Sequence, residues 1–595
     1  MSDQDLWDDP FREVDTVTLQ QLLEDVFADR IELDFEGRDP FSGEGALTVN
    51  SCIFDEDRPL HVVARRGNTS CLKLLLDAGA DPNALGDMSL NPLHAAVREG
   101  QLECAQILLK AGARTDAIDE FDQTPLDLCK RGGWYANPEM FKMLSAGTLE
   151  HLRAGLLRGA VKLELECGLE QVPEEIRDLA DSLEILDLSG NRLTDLPDWL
   201  PELRKLKVFF GSNNPFLHVP EVLGECPALE MVGFKSCQIG TLSGKALPLA
   251  LRWLILTNNQ LTSLPEELGR RPRLQKLMLS GNRLSALPDS MAACRNLELL
   301  RLAANQFETL PDWISELPGL AWLAVSGNPC TPFSAANDGS PVPEIPWSEL
   351  VVGKLLGEGA SGHIYEAQWV KPSAETPARN VAIKLFKGAM TSDGLPASEM
   401  AASLAASGHP QLLGALGKIT GHPDGTNGLV MALVDPSFTT LGIPPSLETC
   451  TRDIYPHGYP GEVRFTEETA GKLLLDLASA ATHLHQRRVL HGDFYAHNVM
   501  WHKPTGQALL GDFGAASCYP PGPPEKWEQI EVRAFGILME EVLDRCPDRA
   551  ALPENLSGLP GRCQQPDVAA RPGFRELSGM LEGWATALRT LDAPP

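Results

Sequence analysis

His491-Gly492-Asp493-Phe494-Tyr495-Ala496-His497-Asn498 is the stretch that decides how the C-terminal part of this chain is read. It sets Asp493 five residues ahead of Asn498. Downstream, the strand-like Ala508-Leu509-Leu510 leads into Asp512-Phe513-Gly514. Upstream, the extended run Leu350-Val351-Val352-Gly353-Lys354-Leu355-Leu356 leads into Gly357-Glu358-Gly359-Ala360-Ser361-Gly362-His363-Ile364. A Gly-x-Gly-x-x-Gly loop is weak by itself, because dinucleotide-binding folds use one too, but there it opens a helix. Here it joins two extended runs, and Val381-Ala382-Ile383-Lys384 follows about twenty residues later. No single piece is specific. The four in this order are.

In that order they resemble the protein kinase family, and the resemblance continues to about Leu581. It implies a bilobal, ATP-dependent phosphotransferase over residues 345–590. Gly357, Gly359 and Gly362 would let backbone amides approach the ATP phosphates, and Ile364 would lie under the adenine. Lys384 would contact the α- and β-phosphates, with Glu399 directing it, and Met431 would stand at the gatekeeper position. Asp493 resembles the catalytic aspartate that orients the acceptor hydroxyl and takes its proton. Asn498 and Asp512 would ligate Mg²⁺. Glu531-Val532-Arg533-Ala534-Phe535-Gly536-Ile537-Leu538 resembles the helix that supports the catalytic loop. Arg571-Pro572-Gly573-Phe574 resembles the late arginine segment, which implies an Arg571–Glu525 contact. The lead-in Ile345-Pro346-Trp347-Ser348-Glu349-Leu350 resembles the tyrosine-kinase-like group, most of whose members phosphorylate Ser/Thr.

The sequence also departs from the family. Gly492 replaces the arginine that meets an activation-loop phosphate, so this switch is not expected. The segment from Asp512 to Glu525 is short and proline-rich, with Ser517 and Tyr519 its only hydroxyls. Tyr495 takes the place of a lysine that touches the γ-phosphate, and His497 lies where tyrosine kinases carry arginine. His-Gly-Asp-x-x-x-x-Asn also resembles aminoglycoside and choline phosphotransferases. A small-molecule kinase, or a weakly active scaffold, are therefore the alternatives to a protein kinase with Ser/Thr favoured.

Two repeat arrays precede this region. Pro59-Leu60-His61, Pro92-Leu93-His94 and Pro125-Leu126-Asp127 recur every 33 residues, with Leu74-Leu75-Leu76-Asp77-Ala78-Gly79-Ala80 behind the first. They resemble about three ankyrin repeats over 55–147, in which the proline sets the first helical turn and the glycine ends the second helix. Asn191, Asn214, Cys237, Asn259, Asn282, Asn305 and Asn328 mark a period of 23 with one step of 22. With Leu274, Leu277, Leu279 and Leu284 as a clean example, this resembles a leucine-rich-repeat solenoid of about seven repeats over 158–331. Both arrays imply scaffold with protein-binding faces, and His61 and His94 imply structural hydrogen bonds rather than metal ligation. Residues 1–54 form an acidic segment with one apolar pattern, Leu19, Leu22, Leu23 and Val26, expected to cap the ankyrin stack. Residues 332–344 read as a linker.

A chain of 595 residues, 43% hydrophobic and 22% charged, is globular and too long for one core. The expected fold class is multidomain α+β: helical ankyrin repeats, an α/β leucine-rich solenoid and a bilobal kinase-like fold. A formal net charge of −30 argues against nucleic acid as a partner. Thirteen cysteines without a Cys-x-x-Cys pair, no secretory leader pattern and no apolar run of membrane length together imply a cytoplasmic protein.

Overall fold

The structure is a computed structural model that describes residues 49–50, 57–121, 123–130, 137–331, 343–359, 361–370, 378–387, 390–391, 393–455, 464–547, 549 and 554–591. The Leu19–Val26 pattern, Ala360 and all but residues 343–344 of the linker lie outside them. The chain divides into two compact units, Met1–Asn214 and Pro215–Pro595.

The first unit begins with three helix pairs: Pro59–Arg66 with Thr69–Asp77, Pro92–Arg98 with Leu102–Lys110, and Pro125–Lys130 with Pro138–Arg153. Proline opens the first helix of each pair, where its missing N–H costs nothing. His94 Nδ1 accepts from Asn91 N at 3.2 Å, while its Nε2 meets the Gln123 carbonyl in the following repeat at 3.1 Å. His61 does the same with Arg58 N and the Leu90 carbonyl. A carbonyl only accepts, so each ring is the neutral Nε2–H tautomer bridging two repeats. Burial lowers the pKa of both, which keeps them neutral. Leu72, Leu75, Leu93 and Leu108 fill the core between the pairs. Three short parallel strands follow: β1 (Lys162–Glu164), β2 (Ile185–Asp187) and β3 (Val208–Phe210).

The second unit opens with five more parallel strands: β4 (Met231–Gly233), β5 (Trp253–Ile255), β6 (Lys276–Met278), β7 (Leu299–Arg301) and β8 (Trp322–Ala324). The asparagine ladder fixes their stacking. Asn282 Nδ2 donates to the carbonyls of Leu256 and Leu279, both at 2.8 Å, and its Oδ1 accepts from Leu261 N at 3.0 Å. Three backbone groups that no strand could pair are thereby satisfied. The outer side carries short 3₁₀ turns such as Glu266–Arg270 and Asp289–Ala293, each after a proline.

A six-stranded sheet then follows, of order β10-β11-β12-β14-β13-β9. Its strands are β9 (Glu344–Pro346), β10 (Leu350–Glu358), β11 (Gly362–Trp369), β12 (Arg379–Phe386), β13 (Ala415–Thr420) and β14 (Gly428–Ala432), with the helix Pro396–Ala405 beside β13. The lobe after it is built on the helices Glu467–Gln486, Pro524–Leu543 and Phe574–Leu591. It also carries strands β15 (Phe438–Thr440), β16 (Val489–Leu490), β17 (Val499–His502), β18 (Gln507–Leu510) and β19 (Ser517–Cys518). Its core, with Phe494, Phe513, Phe535 and Phe574, runs without a break into Leu299, Ala321 and Trp322 of the solenoid. No described helix is long and apolar enough to cross a membrane.

Candidate phosphotransfer site

Strand register sets the upper wall. Lys384 on β12 lies opposite Ile364 on β11 and Leu429 on β14, and Met431 lies opposite Ala382. Lys384 Nζ pairs with Glu399, which the helix Pro396–Ala405 holds buried. Burial pushes the Glu399 carboxyl up, against the pull of Lys384. The three glycines differ. A Cβ at Gly362 would sit 2.4 Å from the Leu385 carbonyl oxygen, whereas at Gly357 or Gly359 it would meet no atom within 4 Å. Gly362 is thus demanded by the sheet, and the other two leave open space over the loop. Gly362→Ala should lower unfolding free energy by about 1–3 kcal/mol through overpacking. Gly359→Ala should change it by no more than about 0.5 kcal/mol. Denaturant melts of the two variants read the difference.

The lower wall is the loop 491–498 between β16 and β17. His491 Nε2 donates to the Gly511 carbonyl at 2.8 Å, and Asp493 N donates to His491 Nδ1 at 3.3 Å. Asn498 Nδ2 donates to Asp493 twice, to its carbonyl and to Oδ2, both at 2.9 Å. Asn498 therefore keeps its own Oδ1 for another partner. Asp512 follows β18 at φ 53, with its carboxylate exposed and Oδ1 accepting from Gly514 N at 3.1 Å. Phe513 turns inward, its ring 5.3 Å from that of His491. Glu531, from the helix Pro524–Leu543, accepts from Gly492 N at 2.6 Å and pairs with His485 at 2.5 Å.

Each departure from the family pattern has a physical cause. Gly492 has φ 75, and a Cβ there would lie 2.6 Å from the Ala515 carbonyl oxygen and 2.7 Å from that of Leu323 on β8. No side chain fits. Tyr495 is buried with its ring stacked on Trp322 of β8, centroids 4.2 Å apart at 5°. His497 is held by Asp453, which accepts from its Nδ1 at 2.7 Å and from its backbone N at 2.8 Å. Burial lowers the His497 pKa, but the Asp453 contact outweighs it and the net shift is upward. Ser517 is fully buried in the β16–β19 pair, and the Tyr519 hydroxyl is buried too.

One expected contact does not form. Arg571 donates to the carbonyls of Gln565, Gln529 and Pro318, each at 2.9 Å, and Glu525 is exposed away from it. The helix Pro524–Leu543 reaches that arginine through the Gln529 carbonyl and not through Glu525, and carbonyls, one of them from the solenoid, take all its donors.

Sequence reasoning did not find the solenoid's own contribution to the site. Arg301, the last residue of β7, is buried and donates to Asp393, to the Gly492 carbonyl and to Asp493. Burial alone would raise the Asp493 carboxyl. Arg301, then His497, His491 and the Asn498 bond, outweigh it and hold it below the usual carboxylate range. One signal was available: the non-leucine strand positions of the last four repeats carry Trp253, Lys276, Arg301 and Trp322. Tryptophan and arginine on an inner face mark a contact surface.

Family models match this chain in four parts. Ankyrin repeats (three copies) match residues 41–146. A leucine-rich repeat matches 182–203, and a second leucine-rich-repeat family matches 249–307 and 272–329. Protein tyrosine and serine/threonine kinase matches 350–521. The chain is 26% identical to Protein sevenless of Drosophila melanogaster over 310 residues, 42% of this chain and 11% of that protein. It is 27% identical to Receptor tyrosine-protein kinase erbB-4 of Homo sapiens over 195 residues, 32% of this chain and 13% of that protein. A 100-residue stretch is 33% identical to Leucine-rich repeat and calponin homology domain-containing protein 1 of Mus musculus, covering 17% of this chain and 14% of that one. The chain thus spans a small part of the length of each of these relatives. Among solved structures, a leucine-rich-repeat protein of Leptospira interrogans is 31% identical with a TM-score of 0.25, covering 28% of this chain and 48% of that one. One polypeptide therefore carries ankyrin repeats, leucine-rich repeats and a protein tyrosine and serine/threonine kinase domain.

Proposed function

We propose that this chain transfers the γ-phosphate of ATP to a protein hydroxyl, Ser/Thr favoured, with Asp493 as the base and the repeats as protein-binding scaffold in the cytoplasm. The observation that carries this reading is the joint arrangement of the Lys384–Glu399 pair, the Asp493–Asn498 pair and the exposed Asp512 carboxylate. Nucleotide fits the residues present. Gly357 and Gly359 leave space above a loop of backbone amides, and Lys384 is already oriented by a buried carboxylate. Asn498 Oδ1 and the Asp512 carboxylate form a hard oxygen donor set that suits Mg²⁺ bound mainly through phosphate and water. When bound, Mg²⁺·ATP supplies the phosphoryl group and neutralises the charge that develops on it. Asp493 orients the acceptor hydroxyl and takes its proton, while Asn498 holds the aspartate in place.

A small-molecule acceptor is the second reading. It is favoured by the short run from Gly514 to Pro523, which builds no platform for a peptide. Incubation with labelled ATP and Mg²⁺, followed by phosphoamino-acid analysis, tests both. Phosphoserine or phosphothreonine that disappears in Asp512→Ala is the expected result. Label that survives this substitution defeats the phosphotransfer reading. Nucleotide consumption stimulated only by metabolites would favour the second.

A further inference from the structure

Strands β7 and β8 lay their inner side chains on the catalytic loop, and Arg301 is the centre of that contact. Its side chain is 2% exposed, and its three nitrogens serve three acceptors. Nε donates to Asp393 Oδ1 at 2.9 Å, Nη1 to the Gly492 carbonyl at 2.8 Å and Nη2 to Asp493 Oδ1. Asp493 Oδ2 is engaged by Asn498, so each oxygen of the proposed base already has a partner. Beside it, Trp322 Nε1 donates to the Phe494 carbonyl at 3.2 Å while its ring covers Tyr495.

The rim closes the contact. Glu298 on the solenoid grips Arg452 through both carboxylate oxygens, each at 2.9 Å, and also accepts from Thr451. Arg252 donates to the Glu448 carbonyl at 2.8 Å. Arg533 and Arg571 donate to the solenoid carbonyls of Gly319 and Pro318, both at 2.9 Å. A protein acceptor must bring its hydroxyl to Asp493 with flanking backbone lying across the same loop. Arg301, Trp322 and the Leu323 carbonyl fill that space.

We propose that the inner face of the solenoid at β7 and β8 is a docking surface for this chain's own catalytic loop. Arg301 occupies the place of a protein acceptor at Asp493, and phosphotransfer is held down until that face withdraws. The proposal rests on the phosphotransfer reading above, so its test must separate the two. The full chain, with Arg301→Ala, Glu298→Arg and the exchange pair Glu298→Arg/Arg452→Glu, is assayed for the initial rate of label transfer from ATP·Mg²⁺ to casein. Nucleotide binding is followed in parallel by thermal shift.

Arg301→Ala and Glu298→Arg are expected to raise the rate about tenfold or more, roughly a 1.4 kcal/mol shift of the docked equilibrium. The exchange pair, which restores the ion pair in reverse, is expected to return it toward the native rate. A rate unchanged or lowered in Arg301→Ala, with the nucleotide shift intact, overturns the proposal, since Arg301 would then position Asp493 instead of covering it. Should Arg301→Ala fail to fold, the Glu298 variant and its exchange pair decide by the same criterion. If no variant transfers label although nucleotide binds, the phosphotransfer reading itself fails. That is distinct from a native chain that labels casein as fast as the variants, which overturns the docking alone.

Discussion

Asp493→Asn is expected to lower phosphotransfer by roughly 10²–10⁴-fold while leaving nucleotide affinity within about twofold. The amide keeps the shape of the carboxylate and can still meet Asn498, but it cannot take a proton. Lys384, Glu399 and Asp512 do not depend on it for position, so binding should be spared. Because Arg301 loses one of its two carboxylate partners in this variant and keeps Asp393, the measurement belongs in two backgrounds. In the native chain, loss of the base and loosening of the solenoid act in opposite directions. In the Arg301→Ala background only the first remains, and the full drop should be read there. A rate within threefold of Arg301→Ala itself would remove Asp493 from its assigned role.

Glu531→Ala is expected to destabilise the second unit by about 3–5 kcal/mol, the range for breaking a buried ion pair from one side. Glu531 is 2% exposed and holds two groups at once, the Gly492 backbone N–H and the His485 ring. His485 is itself buried, with the Phe574 ring against it and Glu528 Oε1 3.7 Å from Nδ1, an ionic rather than hydrogen-bonding distance. Burial lowers the His485 pKa, but the two carboxylates outweigh it and raise the imidazole from 6.5 to about 9. The sign follows from linkage. A raised folded-state pKa gives stability that is fully present below pH 6.5 and is lost as pH rises through about 9. Denaturant melts between pH 6 and pH 10 should therefore show native stability falling across that window, by an amount of order 3 kcal/mol. Glu531→Gln, which keeps an acceptor for Gly492 but not the charge, should flatten most of this slope. A slope unchanged in Glu531→Gln would assign the pH dependence elsewhere.

Much of this molecule was legible because its signals are local or periodic. The ankyrin histidines could be read as structural from Pro-Leu-His at one spacing, since capping a helix needs only residues three apart. The asparagine ladder could be read from a period of 23, because each repeat buries the same face on the next. The register that sets Lys384 opposite Ile364 follows from two extended runs and one tight glycine loop. Glu399 was harder to assign, since only packing of the helix Pro396–Ala405 decides which residue of that helix meets Lys384.

The Arg571–Glu525 expectation failed for a reason of the same kind. The sequence names a donor and an acceptor, but packing decides which acceptors face the donor, and the Gln565, Gln529 and Pro318 carbonyls took its bonds instead.

Residue order alone determined the three kinds of structure in the chain and named the residues proposed for the phosphotransfer centre, because repeats and short motifs taken in order are read along the chain. Only the tertiary structure decided what stands beside Asp493. Arg301 lies 192 residues before it, and the aromatic and basic strand positions of the repeats mark a contact surface without saying which acceptor that guanidinium reaches. Gly492 carries the same lesson: as sequence it is a missing arginine, while in the fold it is the gap through which the Leu323 carbonyl approaches the loop. A buried charge must be met by whatever the folded chain brings within reach, and that partner is set by packing.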